Sequence, residues 1–150
     1  MIHLVSPTGR PIRGVDRWGS GAFGAPRGGR PHYGVDFEAA PGQPVVAPSD
    51  AVVVRMAPPY PDGSYGGLLL RAGLVEIKIF YLRPLVLAGE RVTQGQQIGV
   101  AEDLRLKYPE ITPHVHMEVT LRADGGYLRK EDAVYVAPAI LLDDEPQGGG

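Results

Sequence analysis

The sequence predicts a mostly β fold, a β-sandwich or barrel-like sheet in one domain with little helix. Three observations predict it. The 21 glycines and 15 prolines make up about a quarter of the 150 residues, yet they punctuate short apolar runs instead of forming a low-complexity tract. The runs are rich in β-branched and aromatic residues and are short for helices. Turn signals recur between them, as in sandwiches and barrels.

In chain order, residues 14–31 carry glycines and arginines with few apolar side chains, which predicts a long loop, and so long a loop in a small domain is usually functional. Pro44-Val45-Val46-Ala47 and Ala51-Val52-Val53-Val54 flank Pro48-Ser49-Asp50, a strand–turn–strand pattern. Leu68-Leu69-Leu70 follows the Gly66-Gly67 break, residues 74–82 read as one strand, and residues 96–100 and 114–121 complete the set. Helix is confined to two turns over residues 102–108, ahead of Pro109, and a short turn over 138–142. The domain is expected to span residues 1–144, with 145–150 a disordered tail.

Composition bounds the function. At 150 residues and 16.1 kDa, one domain with a substantial core is expected. A net charge of −2 leaves no basic footprint for nucleic acid. Cysteine is absent, which removes disulfides, thiolate metal sites and a cysteine nucleophile. No stretch reaches the roughly 18 consecutive apolar residues of a membrane-spanning helix, so no membrane insertion is expected. The first ten residues lack the basic and then apolar pattern of a secretory signal.

The chemistry-bearing residues are concentrated. Of the four histidines, three fall in His32-Tyr33-Gly34-Val35-Asp36 and His114-Val115-His116. Two imidazoles and a carboxylate can hold catalytic zinc and leave a position for water, the arrangement of a hydrolase. His32, Asp36 and His116 are the candidate ligands, with His114 beside them. If His114 ligated too, four protein donors would close the site into a structural one. On a regular strand His32 and Asp36 would stand about 13 Å apart, whereas each donor must lie about 2.0 to 2.2 Å from zinc. The chain must therefore bend, and Pro31, Gly34 and Val35 favour a loop-to-strand bend over a helical face. Along the second stretch, His114, His116 and Glu118 alternate with Val115, Met117 and Val119, which puts the polar side chains on one strand face and the apolar ones on the other.

With their neighbours, these stretches resemble the lysostaphin-type (LytM-like) zinc endopeptidases that cut peptidoglycan peptides. Gly21-Ala22-Phe23-Gly24 and the arginine-rich loop after it are similar to the approach to the family's first motif. The match continues through His32 to Phe37, Ala40 to Ala47, Asp50-Ala51-Val52-Val53, Gly89 to Gly99 and Pro113 to Val119, covering roughly residues 5–120. The resemblance implies a mostly antiparallel β fold with a cleft across one sheet. It implies His32, Asp36 and His116 as Zn2+ ligands, and His114 as general base or acid beside the metal-bound water. The expected protein is a zinc metallopeptidase hydrolysing peptide cross-links or stem peptides of bacterial peptidoglycan.

One departure stands out. Where the family carries Tyr-X-His-Leu, with a second catalytic imidazole, this chain reads Ile79-Phe80-Tyr81-Leu82, so Tyr81 holds that place. A neutral phenol can donate a hydrogen bond to an oxyanion but is a poor proton shuttle. The alternative expectation is therefore a non-catalytic zinc- or peptidoglycan-binding module of the same fold. Glu118 could orient an imidazole, and Arg27-Gly28-Gly29-Arg30 could meet anionic wall polymers. A carrier domain is a third reading, because residues 92–99 resemble biotinyl and lipoyl repeats, but Lys78 lies inside an apolar strand and not at a hairpin tip. Action on the wall would be reached from a phage virion or on release at lysis; a cytoplasmic bacterial protein is the other option.

Overall fold

The structure, a computed structural model, describes residues 4–22, 26–27, 30–31 and 34–121, with Pro26, Arg27, Arg30, Pro31 and Leu121 described by their backbone alone. Strands β1 (Pro26–Arg27) and β2 (Arg30–Pro31) make a small hairpin within the segment expected to be loop. Then follow β3 (Val35–Glu38), β4 (Pro44–Val46), β5 (Ala51–Met56), β6 (Gly67–Ala72) and β7 (Val75–Phe80). The remaining strands are β8 (Leu82–Pro84), β9 (Arg91–Val92), β10 (Gln97–Ala101) and β11 (His114–Leu121).

Two antiparallel sheets form a sandwich, one of six strands in the order β3-β11-β7-β6-β5-β9 and one of three in the order β4-β10-β8. The period-two pattern drives the packing. In β7, Val75, Ile77 and Ile79 are buried while Glu76, Lys78 and Phe80 are only partly so. In β11, Val115, Met117 and Val119 are buried, and they share one core with Val45, Leu82 and Ile98 of the smaller sheet. Each such side chain contributes about 1.5–3 kcal/mol of burial free energy. The expected mostly β fold with little helix is the observed one.

Three differences have local causes. The two helical turns expected over 102–108 shrink to one 3-10 turn, Leu104–Leu106, where the Asp103 side chain accepts the Arg105 amide and Pro109 follows closely. The strand expected over 74–82 breaks at Tyr81, whose φ of 77° is left-handed. The start of the loop expected over 14–31 is tied down, for Ile12 just ahead of it bridges Phe37 and the backbone of Arg13 and Gly21 bonds that of Asp36, covering the outer edge of β3. The short turn expected over 138–142, the tail and the domain's C-terminal limit lie outside the described residues.

Candidate functional site

Register builds the site. Across three neighbouring strands Asp36 of β3 pairs with His116 of β11, which pairs with Phe80 of β7. Side chains paired across antiparallel strands share a face, so carboxylate, imidazole and phenyl ring stand in one row. The Phe80 ring stacks on His116 at 5.5 Å between centroids and 13° between planes. His116 Nδ1 donates to Asp36 Oδ1 at 2.8 Å and Nε2 to Glu118 Oε1 at 2.9 Å. Carboxylates only accept, so both contacts favour protonated ring nitrogens. Burial works against a charge on the ring, but the bonds to Asp36 and Glu118 outweigh it and push the pKa up to about 9.

His114 lies one position along the same face. Its Nδ1 donates to the Thr112 carbonyl at 2.8 Å and its Nε2 stands 3.5 Å from Asp36 Oδ2. Burial lowers its pKa, against a smaller opposing pull from Asp36, so this imidazole is neutral at pH 7. Asp36, His114 and His116 are 2, 4 and 9% exposed.

The sequence reading missed Arg13. Its guanidinium reaches Asp36 Oδ2 with Nε at 3.2 Å and Nη2 at 3.0 Å, and is itself buried. Nη1 donates to Asp16 Oδ2 at 2.9 Å and to the Gly19 carbonyl at 2.8 Å. Burial of Asp16 opposes its charge, but amide bonds from Thr112 and Trp18 and the contact with Arg13 lower its pKa overall. Two glycines let these groups approach. A Cβ on Gly34 would lie 2.4 Å from His116 Cε1, and one on Gly21 would lie 2.7 Å from Arg13 Cβ and 2.8 Å from Asp36 Cβ.

Aromatic rings form the other wall. Tyr81 meets His114 edge-on, 5.6 Å between centroids. Its left-handed backbone is held at both ends, by its own N–H on the Gly66 carbonyl and by the Glu102 N–H on its carbonyl. The Tyr81 hydroxyl is 3.0 Å from that of Tyr60, which also bonds the Tyr108 hydroxyl. Tyr65 packs edge-on against both Tyr60 and Tyr81, and Trp18 against Tyr108. Burial is the main cause pushing Tyr81 and Tyr108 up to about 12, and it raises Tyr60 as well, so all three phenols are neutral.

Of the candidate residues, then, the structure brings Asp36, His114, His116 and Tyr81 together, with Glu118 bonded to His116. His32, like the side chains of Arg27 and Arg30, lies outside the described residues. Tyrosines in loops rich in proline and glycine were the available signal for Tyr60, Tyr65 and Tyr108; Arg13 had none, since its carboxylate partner is 23 positions away.

Comparison with known proteins places the fold. The model of "Peptidase family M23" matches residues 30–129. The chain belongs to peptidase family M23. Leukocyte cell-derived chemotaxin-2 of Mus musculus is 33% identical over 115 residues, covering 75% of this chain and 76% of that protein. An uncharacterized metalloprotease of Haemophilus influenzae is 37% identical over 93 residues, 59% of this chain but only 18% of that protein. The solution structure of lysostaphin aligns with a TM-score of 0.54 at 26% identity, covering 77% of this chain and 49% of lysostaphin.

M23 membership does not carry the zinc expectation with it. Among the described residues, no group of three or more histidine, cysteine, aspartate or glutamate side chains could hold a metal ion. The physical reason is where the donors point. Asp36 is turned onto a guanidinium and an imidazole, and both His116 nitrogens are turned onto carboxylates. The Arg13 guanidinium supplies positive charge to Asp36, and the Asp36 and Glu118 carboxylates stand at the two imidazole nitrogens. The expected Zn2+ cofactor, the zinc metallopeptidase and the hydrolase of peptidoglycan cross-links are corrected accordingly. No helix among the described residues is long and apolar enough to cross a membrane.

Proposed function

We propose that this chain is a non-catalytic binding module of the M23 fold whose ligand is a peptide of bacterial peptidoglycan. The observation that carries this reading is the Arg13–Asp36 pair: a buried protein cation, bonded through two nitrogens, holds the carboxylate at the β3 end of the row. Tyr81 supports it, because a phenol at the place of the family's second imidazole moves no proton at neutral pH. The mouse relative is named for chemotaxis and not for cleavage. Lysostaphin, whose fold this chain shares, is described as an antimicrobial peptidase.

In this reading the ligand meets the partly exposed rings of Tyr60, Tyr81 and Tyr108 while the charged row behind stays dry. Such rings offer rigid contact area at low entropic cost, and each phenol keeps a lone pair for a peptide N–H. Tyr60, Tyr81 and Tyr108 are the binding residues of the proposal, and His114, edge-on to Tyr81, backs the wall.

The test is sedimentation with purified peptidoglycan, combined with an assay for newly released amino groups in buffers containing zinc or a chelator. The protein is expected to co-sediment, to release no amines in either buffer, and to bind about tenfold more weakly as Tyr60→Ala or Tyr81→Ala. Released amines overturn the non-catalytic reading, and protein left in the supernatant overturns the ligand.

A further inference from the structure

A cavity of about 710 Å³ opens between the loop around Asp62 and the strand–turn segment 100–107, away from the charged row. It touches the aromatic wall from behind, because Tyr65 and Lys107 line it while Tyr65 packs on Tyr81 and Lys107 Nζ sits 3.7 Å over the Tyr60 ring. Its volume is in the range of small-molecule sites. The floor is apolar, with the Tyr65 ring and Ala101 buried, and the rim is charged.

The charges on that rim are arranged unusually. Arg83 and Lys107 supply two cations; of the three carboxylates, Asp103 is paired with Arg105, which leaves Asp62 and Glu102. Among the described residues no ion pair joins either cation to either carboxylate. Asp62 accepts from the amide and the side chain of Ser64, and Glu102 accepts the Gly66 amide through Oε1, which fixes both carboxylates in place. Opposite charges held around one apolar floor without meeting are matched by a ligand that carries both signs on a short stem. Each charged end would gain a charge-assisted hydrogen bond, and the stem would cover the floor.

We propose that this cavity is a second binding site, for a short zwitterionic peptide or amino acid whose carboxylate is taken by Arg83 and Lys107 and whose ammonium is taken by Glu102 and Asp62. It is separate from the peptidoglycan reading, whose rings Tyr60, Tyr81 and Tyr108 do not line the cavity. Occupancy here would press on Tyr65 and Lys107, and so reach Tyr60 and Tyr81 through contacts already made.

Isotope-labelled full chain titrated with glycylglycine, N-acetylglycine and glycinamide tests it by amide chemical shifts. Glycylglycine is expected to shift the amides of Tyr65 and residues 101–103 in a saturable way, and the two singly charged probes to bind about tenfold more weakly. Arg83→Gln and Glu102→Gln should each weaken glycylglycine about tenfold; Gln retains the acceptor for the Gly66 amide. Asp62→Asn, at an exposed side chain, supplies a charge change that leaves the fold alone and should weaken binding in the same direction. Equal binding of all three probes, no saturable shift, or indifference to all three variants overturns the proposal. Shifts confined to residues 114–118 overturn it too, while leaving the reading of the tyrosine wall intact.

Discussion

The charged wall and the aromatic wall meet where the Tyr81 ring stands edge-on to His114, and they are built in opposite ways. Asp36, His114, His116 and Glu118 are strand residues whose positions follow from register. Their stability rests on charge compensation in a dry place, which is costly to disturb. Tyr60, Tyr65 and Tyr108 come from loops, joined to Tyr81 at a strand break, and hold together by ring packing and shared hydroxyl bonds. The first wall is a fixed electrostatic frame; the second is a set of partly exposed rings packed on the small buried cluster of Tyr65, Leu104 and Ile111. That difference orders the expected size of mutational effects.

The largest effect should come from Arg13→Met. It removes the guanidinium from Asp36, which is 2% exposed, and leaves that carboxylate with its imidazole contacts. Loss of one partner of a buried pair costs about 3–5 kcal/mol, read from urea unfolding. Adding Asp36→Asn should recover part of that loss, since the carboxylate that lost its guanidinium is then gone. A single-variant loss below about 1 kcal/mol would mean the pair behaves like a surface one, and the contrast between the walls would collapse.

Gly34→Ala comes next. The added methyl would sit 2.4 Å from His116 Cε1 and 2.7 Å from the Met117 carbonyl, and only one of these is a side chain able to move. About 1–3 kcal/mol is expected, with the imidazole displaced from its stack on Phe80. Ring-current shifts of the His116 protons would report it; unchanged shifts would refute the close approach.

On the aromatic wall, Tyr60→Phe removes the hydroxyl that links Tyr81 to Tyr108 and strips a partner from each. The expected cost is about 1 kcal/mol, well below that of Arg13→Met. Losses of equal size would show that the tyrosines hold the fold as firmly as the charged frame does.

How far the sequence reached follows the same division. The alternation of His114, His116 and Glu118 with Val115, Met117 and Val119 is a local, two-residue pattern, and it located the site face, the buried face and the sheet. The sequence predicts a bend at Gly34; the closest constraint on that glycine is the His116 ring, which no local pattern contains. Arg13 and Tyr60 meet partners 23 and 48 positions away with no periodicity to announce them. The zinc expectation fell in the same gap. Spacing brings Asp36 and the two imidazoles together, but it does not say whether their donor atoms turn toward a common cation or toward one another and Arg13.

The smallest effect at working pH, and the one that separates the walls most cleanly, is alkaline. Tyr81 and Tyr108 have folded-state pKa values of about 12, raised chiefly by burial, against about 10 for a free phenol. The folded chain therefore keeps protons that the unfolded chain has released, and stability falls as pH rises across that interval. The contribution is whole below pH of about 10 and gone once the folded phenols themselves ionise near 12. Nothing should change at pH 7. Ultraviolet titration of phenolate should resolve Tyr81 and Tyr108 as late members of the seven tyrosines. Unfolding free energy should decline over the same interval, and less steeply in Tyr81→Phe. If every tyrosine ionised near 10, the rings would have to be open to water, and the wall would be a loose set of loop side chains instead of a bonded unit.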